Sequence, residues 1–299
     1  MKILIIGSKG FIGSHAYSFF FNLSEYECWA CDVVVDYTDD HYILVDSSNA
    51  NFSEVFETNV FDICINCSGA ASVPDSLNNP LRDFSLNTFN VVKLLDAIRK
   101  YQPMCRFINL SSAAVYGNPQ KLPVSEADPI QPVSPYGLHK MHAEQVCQSF
   151  YTYWGMRTCS LRIFSAFGPG LKKQLFWDLY NKSLAQSSVT LFGTGNETRD
   201  YIYIDDILQA IQLVIEKTDF VGECLNVANG RQYSTFDVVK NFYRQLGWNG
   251  AIKFAGNNRA GDPLHWEADI TKLKQLGYQQ QYDINTGLSK YVQWLKELR

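Results

Sequence analysis

The sequence predicts an α/β protein in which a doubly wound parallel sheet carries a smaller α+β lobe. Through the first half of the 299-residue chain, short β-rich runs alternate with longer helical patterns. This alternation is typical of a parallel sheet covered by helices on both faces. After Gly168-Pro169-Gly170 it gives way to single helices, short strands and turn clusters. A composition with 46% hydrophobic and 19% charged residues is that of an ordered globular chain.

The elements of this sheet can be placed in chain order from their hydrophobic patterns. Short apolar runs bounded by turn residues indicate buried strands, and apolar residues that recur every three or four positions indicate helices. The clearest helical spacing is that of Phe84, Val91, Leu94, Leu95 and Ile98. The patterns predict strands over 3–6, 28–31, 43–45, 62–66, 107–110 and 158–164, and helices over 11–23, 81–100 and 137–154.

Charge and hydropathy exclude several classes of partner. The formal net charge is −4 and the pI is near 5.7, so nucleic acid is not expected as the main partner. No apolar run has the length of a membrane span. The short apolar run at the start of the sequence passes directly into a glycine turn, unlike a signal segment. We therefore expect a cytoplasmic protein that binds neither nucleic acid nor membrane.

The eight cysteines include two pairs with zinc-like spacing, Cys28-x-x-Cys31 and Cys64-x-x-Cys67. Both pairs lie in apolar runs that are predicted to be buried strands, where cysteine behaves as a small hydrophobic residue. We therefore predict no metal site and no disulfide framework.

A glycine turn follows the first predicted strand and opens the first helix. Gly7, Gly10 and Gly13 allow the backbone to turn sharply and to approach a pyrophosphate, which the free N–H groups of the helix would bind. The next strand ends at Asp32, where a carboxylate can bind the adenosine ribose hydroxyls and disfavours the extra phosphate of NADP. The sequence therefore predicts a Rossmann-type, NAD-binding domain over 1–165, with a return segment around 201–227.

A second motif combines a serine at the end of a strand with a tyrosine and a lysine on a helix. Tyr136 and Lys140 are four residues apart, so they lie on one helical face. A free tyrosine is a poor base at neutral pH, but a neighbouring ammonium and the cationic nicotinamide ring stabilise its phenolate. Ser112 can hold the substrate oxygen beside the tyrosine. These three residues are the predicted catalytic set.

With these motifs the chain resembles the extended short-chain dehydrogenase/reductase family, and in particular nucleotide-sugar epimerases of the UDP-glucose 4-epimerase type. The resemblance covers nearly the whole chain. Besides the glycine turn, Asp32 and the catalytic set, it rests on the segment 66–71, on Asn87, and on the segments 193–201 and 259–263.

The resemblance implies roles for further residues. The cofactor-binding set would be Gly7, Gly10, Phe11, Ile12, Gly13, Asp32, Asp46 (near the adenine), Ser47, Cys67, Ser68, Gly69, Asn87, Tyr136 and Lys140. The substrate-binding set would be Ser72, Ser112, Phe164, Ser165, Arg199 and Arg259, with the two arginines gripping the diphosphate, for which guanidinium groups are suited. A nucleotide-sugar lobe would comprise 166–200 and 228–299. The helices around 81–100 and 136–154 resemble those that form a homodimer in the family.

Several reactions fit this scaffold. Epimerisation at C4 through a transient 4-keto intermediate is the prediction, and NAD(P)H-dependent reduction of a nucleotide-linked 4-ketosugar is the alternative. Dehydration at C4 and C6 is disfavoured, because the related dehydratases carry Asp-Glu directly after the catalytic Ser/Thr, where this chain has Ala113 and Ala114. A non-catalytic dinucleotide sensor would be expected to lose the catalytic set.

Two positions allow more than one interpretation of substrate binding. Ser165 stands where the family usually has an asparagine that faces the sugar nucleotide, so the sugar and its contacts are not defined. Arg199 could form an ion pair with the adjacent Asp200 instead of binding phosphate.

Overall fold

The computed structural model describes residues 1–257 and 259–298. The first half contains the alternating elements of the main sheet. In chain order these are β1 (Lys2–Ile6), α1 (Phe11–Phe21), β2 (Glu27–Asp32), β3 (Tyr42–Leu44), α2 (Phe52–Thr58), β4 (Ile63–Asn66), α3 (Val73–Asn78), α4 (Pro80–Phe84), a π-helical segment (Ser85–Phe89), α5 (Asn90–Tyr101), β5 (Arg106–Ser112), a 3₁₀ turn (Ala113–Tyr116), α6 (Pro135–Trp154) and β6 (Thr158–Ile163).

The second half is more irregular. Its elements are β7 (Ser165–Phe167), α7 (Gln174–Ala185), β8 (Ser188–Leu191), β9 (Thr198–Tyr203), α8 (Ile204–Lys217), β10 (Val221–Val227), β11 (Gln232–Ser234), α9 (Thr235–Leu246), β12 (Ala251–Phe254), α10 (Thr271–Gln275) and α11 (Ile284–Glu297).

The main sheet has seven parallel strands in the order β10-β6-β5-β4-β1-β2-β3. The strand order reverses at β1, which lies between β4 and β2. In open α/β sheets, ligands bind in the crevice outside the carboxyl ends of the strands at such a switch point. The predicted doubly wound parallel sheet is therefore confirmed.

Two small sheets complete the second half. Strand β9 lies between β7 and β11, and β8 pairs with β12. After β9 the chain forms α8, which packs against α1, and then adds β10 to the edge of the main sheet beside β6. The segments 166–203 and 228–298 are thus joined to the main sheet through α8 and β10.

The core consists of two hydrophobic clusters, one on each face of the main sheet. Along β1, Ile3 and Ile5 belong to one cluster and Leu4 and Ile6 to the other. Because side chains alternate between the faces of a strand, a strand covered on both faces is apolar throughout. Cys28 and Cys31 likewise belong to opposite clusters, so their thiols cannot share a metal ion.

The helix predicted over 81–100 is interrupted by the π-helical segment Ser85–Phe89. A π turn adds one residue to a helical turn. The predicted helix over 81–100 is therefore present, and the π turn inside it was not predicted. Asn87 and Thr88, which lie in the π segment, are buried. Across 1–257 and 259–298, no helix is long and apolar enough to cross a bilayer.

Candidate active site at the carboxyl ends of the strands

The glycine turn packs closely against the segment that follows β4. Gly7 has a φ of +79°, and a Cβ at this position would lie 2.6 Å from the backbone nitrogen of Ser68. The Gly7 N–H donates to the carbonyl of Cys31 at 2.8 Å, which fixes the turn to the end of β2. Only glycine has both the conformation and the space for this position. The turn and the segment 67–69 therefore form two walls of one groove.

The N-terminus of α1 opens into this groove. Gly10 is the N-cap residue, no side chain caps the helix, and its first turn has no acidic residue. The first N–H groups of a helix lack intrahelical partners and carry the positive end of the helix dipole. Phe11, Ile12 and Gly13 therefore present backbone donors suited to a pyrophosphate.

Asp32 lies at the end of β2, beside the glycine turn. Its carboxylate accepts hydrogen bonds from the backbone N–H groups of Lys9 (2.8 Å) and Val33 (2.7 Å). These bonds hold the carboxylate at the edge of the groove, where a ribose can reach it. The Lys9 ammonium forms an ion pair with Asp36 at 2.5 Å, on the loop that follows β2.

Asp46 and Ser47 lie farther along this edge, on the exposed loop after β3. The Asp46 carboxylate accepts from Ser48 and from the backbone N–H of Asn49 at 2.9 Å, and these bonds lower its pKa. The structure thus ties Asp46 to its own loop rather than to the glycine turn.

The segment 67–69 also contacts the buried side of the π-helical segment at Asn87, so the groove extends to that point. The Ser68 hydroxyl donates to Asn66 at 2.5 Å, and the Cys67 N–H donates to the carbonyl of Ile6 at 2.8 Å. A Cβ at Gly69 would lie 2.5 Å from Asn87 Oδ1 and 3.5 Å from Lys140 Nζ. The predicted cofactor residues therefore meet the predicted catalytic residues at Gly69.

Asn87 is 1% exposed, and neither its amide nitrogen nor its amide oxygen has a hydrogen-bond partner among the described residues. A buried polar group without a partner costs about 1–3 kcal/mol. Such groups call for an explanation, and a ligand that supplies the missing partners is one. Together with the uncapped helix and the crowded glycine turn, this amide fits a dinucleotide in the groove.

The three predicted catalytic residues converge at the ends of β5 and α6. Helix α6 begins after Ser134, whose side chain accepts from Gly137 N–H at 3.2 Å. The Lys140 ammonium donates to the carbonyl of Leu110 at 2.8 Å. The Ser112 hydroxyl accepts from Ala114 N–H at 3.2 Å and lies close enough to Tyr136 to lower its pKa. The helix cap and the strand end therefore place Ser112, Tyr136 and Lys140 together.

Burial dominates the electrostatics of the tyrosine and the lysine. It raises the pKa of Tyr136 to about 12, although the nearby Ser112 hydroxyl lowers it, and the Asp83 carboxylate raises it further. Burial also lowers the pKa of Lys140 to about 8, against the effect of Asp83. In the protein alone, the pKa of Tyr136 is therefore raised and not lowered, and Lys140 is not among the groups that shift it. The positive charge of an oxidised nicotinamide would act in the required direction.

Three predicted substrate residues, Ser72, Phe164 and Ser165, lie after strands of the main sheet. Ser72 caps α3, accepting from Asp75 N–H at 3.2 Å, while Phe164 is buried beside Trp266 and Ser165 begins β7. Strand β7 continues directly from β6, so these two residues follow the carboxyl end of the strand next to β5.

Arg199 and Arg259 differ in their surroundings. Arg199 donates to the carbonyls of Pro263 (2.7 Å), Thr198 (2.8 Å) and Leu264 (3.2 Å). Burial lowers the pKa of Arg199, and the positive charge of Arg259 lowers it further by a smaller amount. Arg259 is half-exposed and pairs with Asp262 at 2.9 Å. Arg199, on β9, thus contacts the loop that also carries Arg259.

The alternative ion pair between Arg199 and Asp200 is wrong. Neighbouring residues in a strand point to opposite faces. The buried Asp200 carboxylate accepts backbone N–H bonds from Asn229, Gly230 and Ala268. Burial raises the pKa of Asp200 to about 7.

The loop with Arg259 reaches the catalytic helix. A Cβ at Gly261 would lie 2.9 Å from Val73 and 3.3 Å from the side chain of Ser134, the N-cap of α6. The contacts thus link the glycine turn to the segment 67–69, this segment to Asn87 and Lys140, and the loop of Arg259 to the N-cap of α6.

Two residues next to the site were not predicted from the sequence. Asp83 is fully buried in α4, and its carboxylate accepts from His139 Nδ1 at 2.6 Å. The available signal was the spacing of four residues between Asp83 and Asn87, which puts both on one side of a helix.

The comparisons with known proteins agree with this geometry. Residues 3–228 match the model of the NAD dependent epimerase/dehydratase family. The chain is 27% identical over 307 residues to a putative UDP-glucose 4-epimerase of Methanocaldococcus jannaschii, with 98% of each chain covered. It is 25% identical to a UDP-glucose 4-epimerase of Lacticaseibacillus casei, covering 95% of this chain and 93% of that one.

A solved structure of similar fold is the UDP-glucuronic acid 4-epimerase of Bacillus cereus in complex with UDP-glucuronic acid and NAD. It has a TM-score of 0.91, 26% identity and complete coverage of both chains. Another is the UDP-glucose 4-epimerase of Thermotoga maritima with UDP-glucose, with a TM-score of 0.90, 26% identity, and 100% of this chain and 99% of that chain covered.

Proposed function

Because the chain belongs to the NAD dependent epimerase/dehydratase family, we propose that it epimerises a nucleotide-diphosphate sugar at C4 through a transient 4-keto intermediate. The observation that carries this proposal is the convergence of Ser112, Tyr136 and Lys140 beside the groove of the glycine turn. The relatives whose names specify 4-epimerases support the choice of carbon.

In this proposal the groove holds NAD. The pyrophosphate lies on the first turn of α1, at Gly10, Phe11, Ile12 and Gly13, and Asp32 binds the adenosine ribose. Asp46 and Ser47 contact the adenine side from their loop. Cys67, Ser68, Gly69 and Asn87 line the wall, and Lys140 binds the nicotinamide ribose. Bound NAD supplies a hydride acceptor that later returns the hydride to the same carbon.

The chemistry of the chain itself is proton transfer and positioning. The Tyr136 phenolate accepts the proton of the 4-hydroxyl as the 4-keto sugar forms. It returns the proton after the keto sugar has rotated and presents its other face. Ser112 donates a hydrogen bond to the reacting oxygen. The Lys140 ammonium stabilises the phenolate. Ala113 and Ala114 offer no acid for a leaving hydroxyl, which favours epimerisation over dehydration.

Substrate binding is assigned to residues from both parts of the chain. Arg199 and Arg259 bind the diphosphate, and Ser72, Phe164 and Ser165 face the sugar. We propose that 166–200 and 228–299 form the nucleotide-sugar lobe, and that 1–165 with 201–227 forms the NAD-binding domain. The eight free cysteines suit a reducing cytoplasmic location.

A homodimer is part of the same proposal. Large apolar side chains are exposed on α3, α4, the π segment and α6, at Leu77, Leu81, Phe89 and Leu138. These helices pack against one another on one side of the molecule. Exposed apolar residues grouped in this way are typical of a protein–protein interface, and a second copy of the chain is the proposed partner.

The test is incubation of the purified protein with UDP-glucose, UDP-glucuronic acid and UDP-N-acetylglucosamine, without added cofactor, and analysis of the sugars by NMR. We expect one substrate to be converted to its 4-epimer. Tyr136→Phe should lose this activity by about 10²-fold or more, and Tyr153→Phe, at the exposed end of the same helix, should retain it. A protein that leaves all three sugars unchanged, but reduces a nucleotide-linked 4-ketosugar with one equivalent of NADH, would instead support ketosugar reduction.

A further inference from the structure

A buried acidic residue lies next to the catalytic pair and has no part in the proposed mechanism. Asp83, in α4, is completely buried. Its Oδ2 accepts a hydrogen bond from His139 Nδ1 at 2.6 Å, and its Oδ1 has no partner among the described residues. An ionised carboxylate is only an acceptor, so the proton of this bond belongs to His139 Nδ1.

His139 is held firmly in this position. It precedes Lys140 on α6 and is buried. Its backbone carbonyl accepts from the Thr88 hydroxyl at 2.8 Å. Its ring packs edge-on against Phe84, with ring centroids 5.4 Å apart. These contacts fix the imidazole, and with it the carboxylate, relative to α6.

Lys140 needs a counter-charge, because an unpaired ammonium in a buried site is costly. Its one hydrogen bond among the described residues is to a neutral carbonyl, that of Leu110. The ionisable groups that act on it are Asp83 from α4, Cys67 after β4, and Glu144 and Cys147 from α6.

Three of these four groups cannot serve as the counter-charge. Glu144 is already matched by Arg162, at 2.8 Å, and also accepts from Ser111 at 2.6 Å. Burial raises the pKa of Cys67 and of Cys147 to about 12, so both thiols are neutral. Of these four groups, Asp83 is the one that is neither neutral nor paired with an arginine or a lysine; its partner at 2.6 Å is the imidazole of His139, which is a cation only when protonated.

We propose that Asp83 is the counter-charge that keeps the Lys140 ammonium protonated, and that His139 holds the Asp83 carboxylate in place. This rests on the proposed role of Lys140 at the nicotinamide ribose and the tyrosine. Asp83 and His139 are then positioning residues, since they act through Lys140. The ionised pair of Asp83 and Lys140 is neutral as a whole, as buried charges in proteins generally are.

The first test measures the protonation of Lys140 directly. Protein labelled with ¹³C at the lysine ε-carbon is titrated by NMR, and Lys140→Met assigns the resonance. In Asp83→Asn, which keeps an acceptor for His139 but removes the charge, Lys140 should titrate at least about one pH unit lower than in the wild type. Asp96→Asn, the same change at an exposed site of α5, should leave the titration unchanged. An identical Lys140 titration in wild type and Asp83→Asn would overturn the proposal.

The second test does not depend on the folding of Asp83→Asn. In Lys140→Met the ammonium is gone, so the charged form of the fully buried Asp83 carboxylate is more costly in the folded state than in the unfolded state, where water solvates it. The folded state then binds more protons, and stability falls as pH rises. We expect the midpoint of urea unfolding of Lys140→Met, relative to wild type, to fall between pH 5 and pH 8. A constant difference between the two proteins over this range would contradict the proposal.

The double variant Asp83→Asn/Lys140→Met completes the cycle. Because the double variant has neither charge, it should be more stable at pH 8 than Lys140→Met. A purely structural role of Asp83 would not produce this gain in stability. Neither test measures the conversion of a sugar nucleotide. A protein that converts no sugar nucleotide would therefore refute the proposed function, while the Lys140 titration would still decide the role of Asp83.

Discussion

Lys140 Nζ donates to the carbonyl of Leu110, 2.8 Å away, on the strand that ends at Ser112. This bond joins the face of α6 that carries Tyr136 to the end of β5 that carries Ser112. The geometry of the catalytic set is therefore built into the contact between a strand and a helix, and not into a loop. Rigid elements hold reacting groups more precisely than loops do.

The protonation of Lys140 predicts a pH dependence of cofactor binding. Burial lowers the Lys140 pKa to about 8, so the ammonium is lost as pH rises through 8. NAD affinity, measured by tryptophan fluorescence, should be constant below this pH and fall by up to about tenfold per pH unit above it. Lys140→Arg, which stays charged throughout, should bind NAD with no such decline. A flat wild-type profile up to pH 10 would contradict the assigned role of Lys140.

The unpartnered amide of Asn87 predicts opposite effects on stability and binding. In Asn87→Leu, of similar size, no polar group is left unsatisfied, so the protein without cofactor should be as stable as the wild type or more so. NAD affinity should fall about tenfold or more, because the partners of the amide are on the ligand. Calorimetry and urea unfolding give the two quantities.

Gln102→Leu is the matched control for Asn87→Leu. The Gln102 amide accepts from Phe61 N–H at 2.8 Å and donates to the carbonyl of Phe56 at 2.6 Å. The same substitution here leaves buried backbone groups unpaired and should destabilise by about 2 kcal/mol. Equal loss of stability in the two variants would show that Asn87 is satisfied within the protein.

Much of the fold was predictable because of the way its strands are buried. The central strands β1 and β4 are buried along nearly their whole length, so each is a short apolar run and its position in the chain is readable. The glycine turn was predictable because only glycine tolerates the backbone and the crowding at Gly7. The break at Ser85–Phe89 was not, since a π turn adds one residue without disturbing the apolar spacing enough to be seen.

The contacts that join distant segments could not be predicted. An aspartate in an amphipathic helix suggests a solvent-facing side chain, and Asp83 is buried because His139 lies opposite it, 56 residues later. Arg199 binds carbonyls that are 64 and 65 residues away, and backbone carbonyls have no signature in a sequence. The residue types were therefore readable, while their partners depend on the tertiary fold.

The two arginines should differ in what they contribute. Arg259 is half-exposed in a pair with Asp262, so Arg259→Ala should change stability by less than about 1 kcal/mol. Loss of its phosphate contact should raise KM about tenfold or more. Arg199→Ala should in addition lower the free energy of unfolding by about 1 kcal/mol, because it removes hydrogen bonds to the part-buried carbonyls of Thr198 and Pro263. Steady-state kinetics and urea unfolding measure both effects, and a KM unchanged in Arg259→Ala would remove it from the site.

The proposed homodimer predicts the mass of the protein in solution and a variant that should be monomeric. Size-exclusion chromatography with light scattering should give twice the chain mass of 34.0 kDa. Leu81→Glu introduces a charge into the exposed apolar surface of α4, where Leu81 is 80% exposed, and should give monomers. Val60→Glu, at an equally exposed site before β4, should remain dimeric. Wild-type protein that is monomeric at all concentrations would refute the dimer.

The central claim is that a hydride leaves C4 and returns to the same carbon within one turnover. The direct measurement uses the accepted nucleotide sugar with deuterium at C4, incubated with the protein in ordinary water without added cofactor. The 4-epimer formed should keep its deuterium at C4, because the hydride is transferred and returned without exchange while Tyr136 handles only the hydroxyl proton. A 4-epimer with hydrogen from the solvent at C4 would contradict the account.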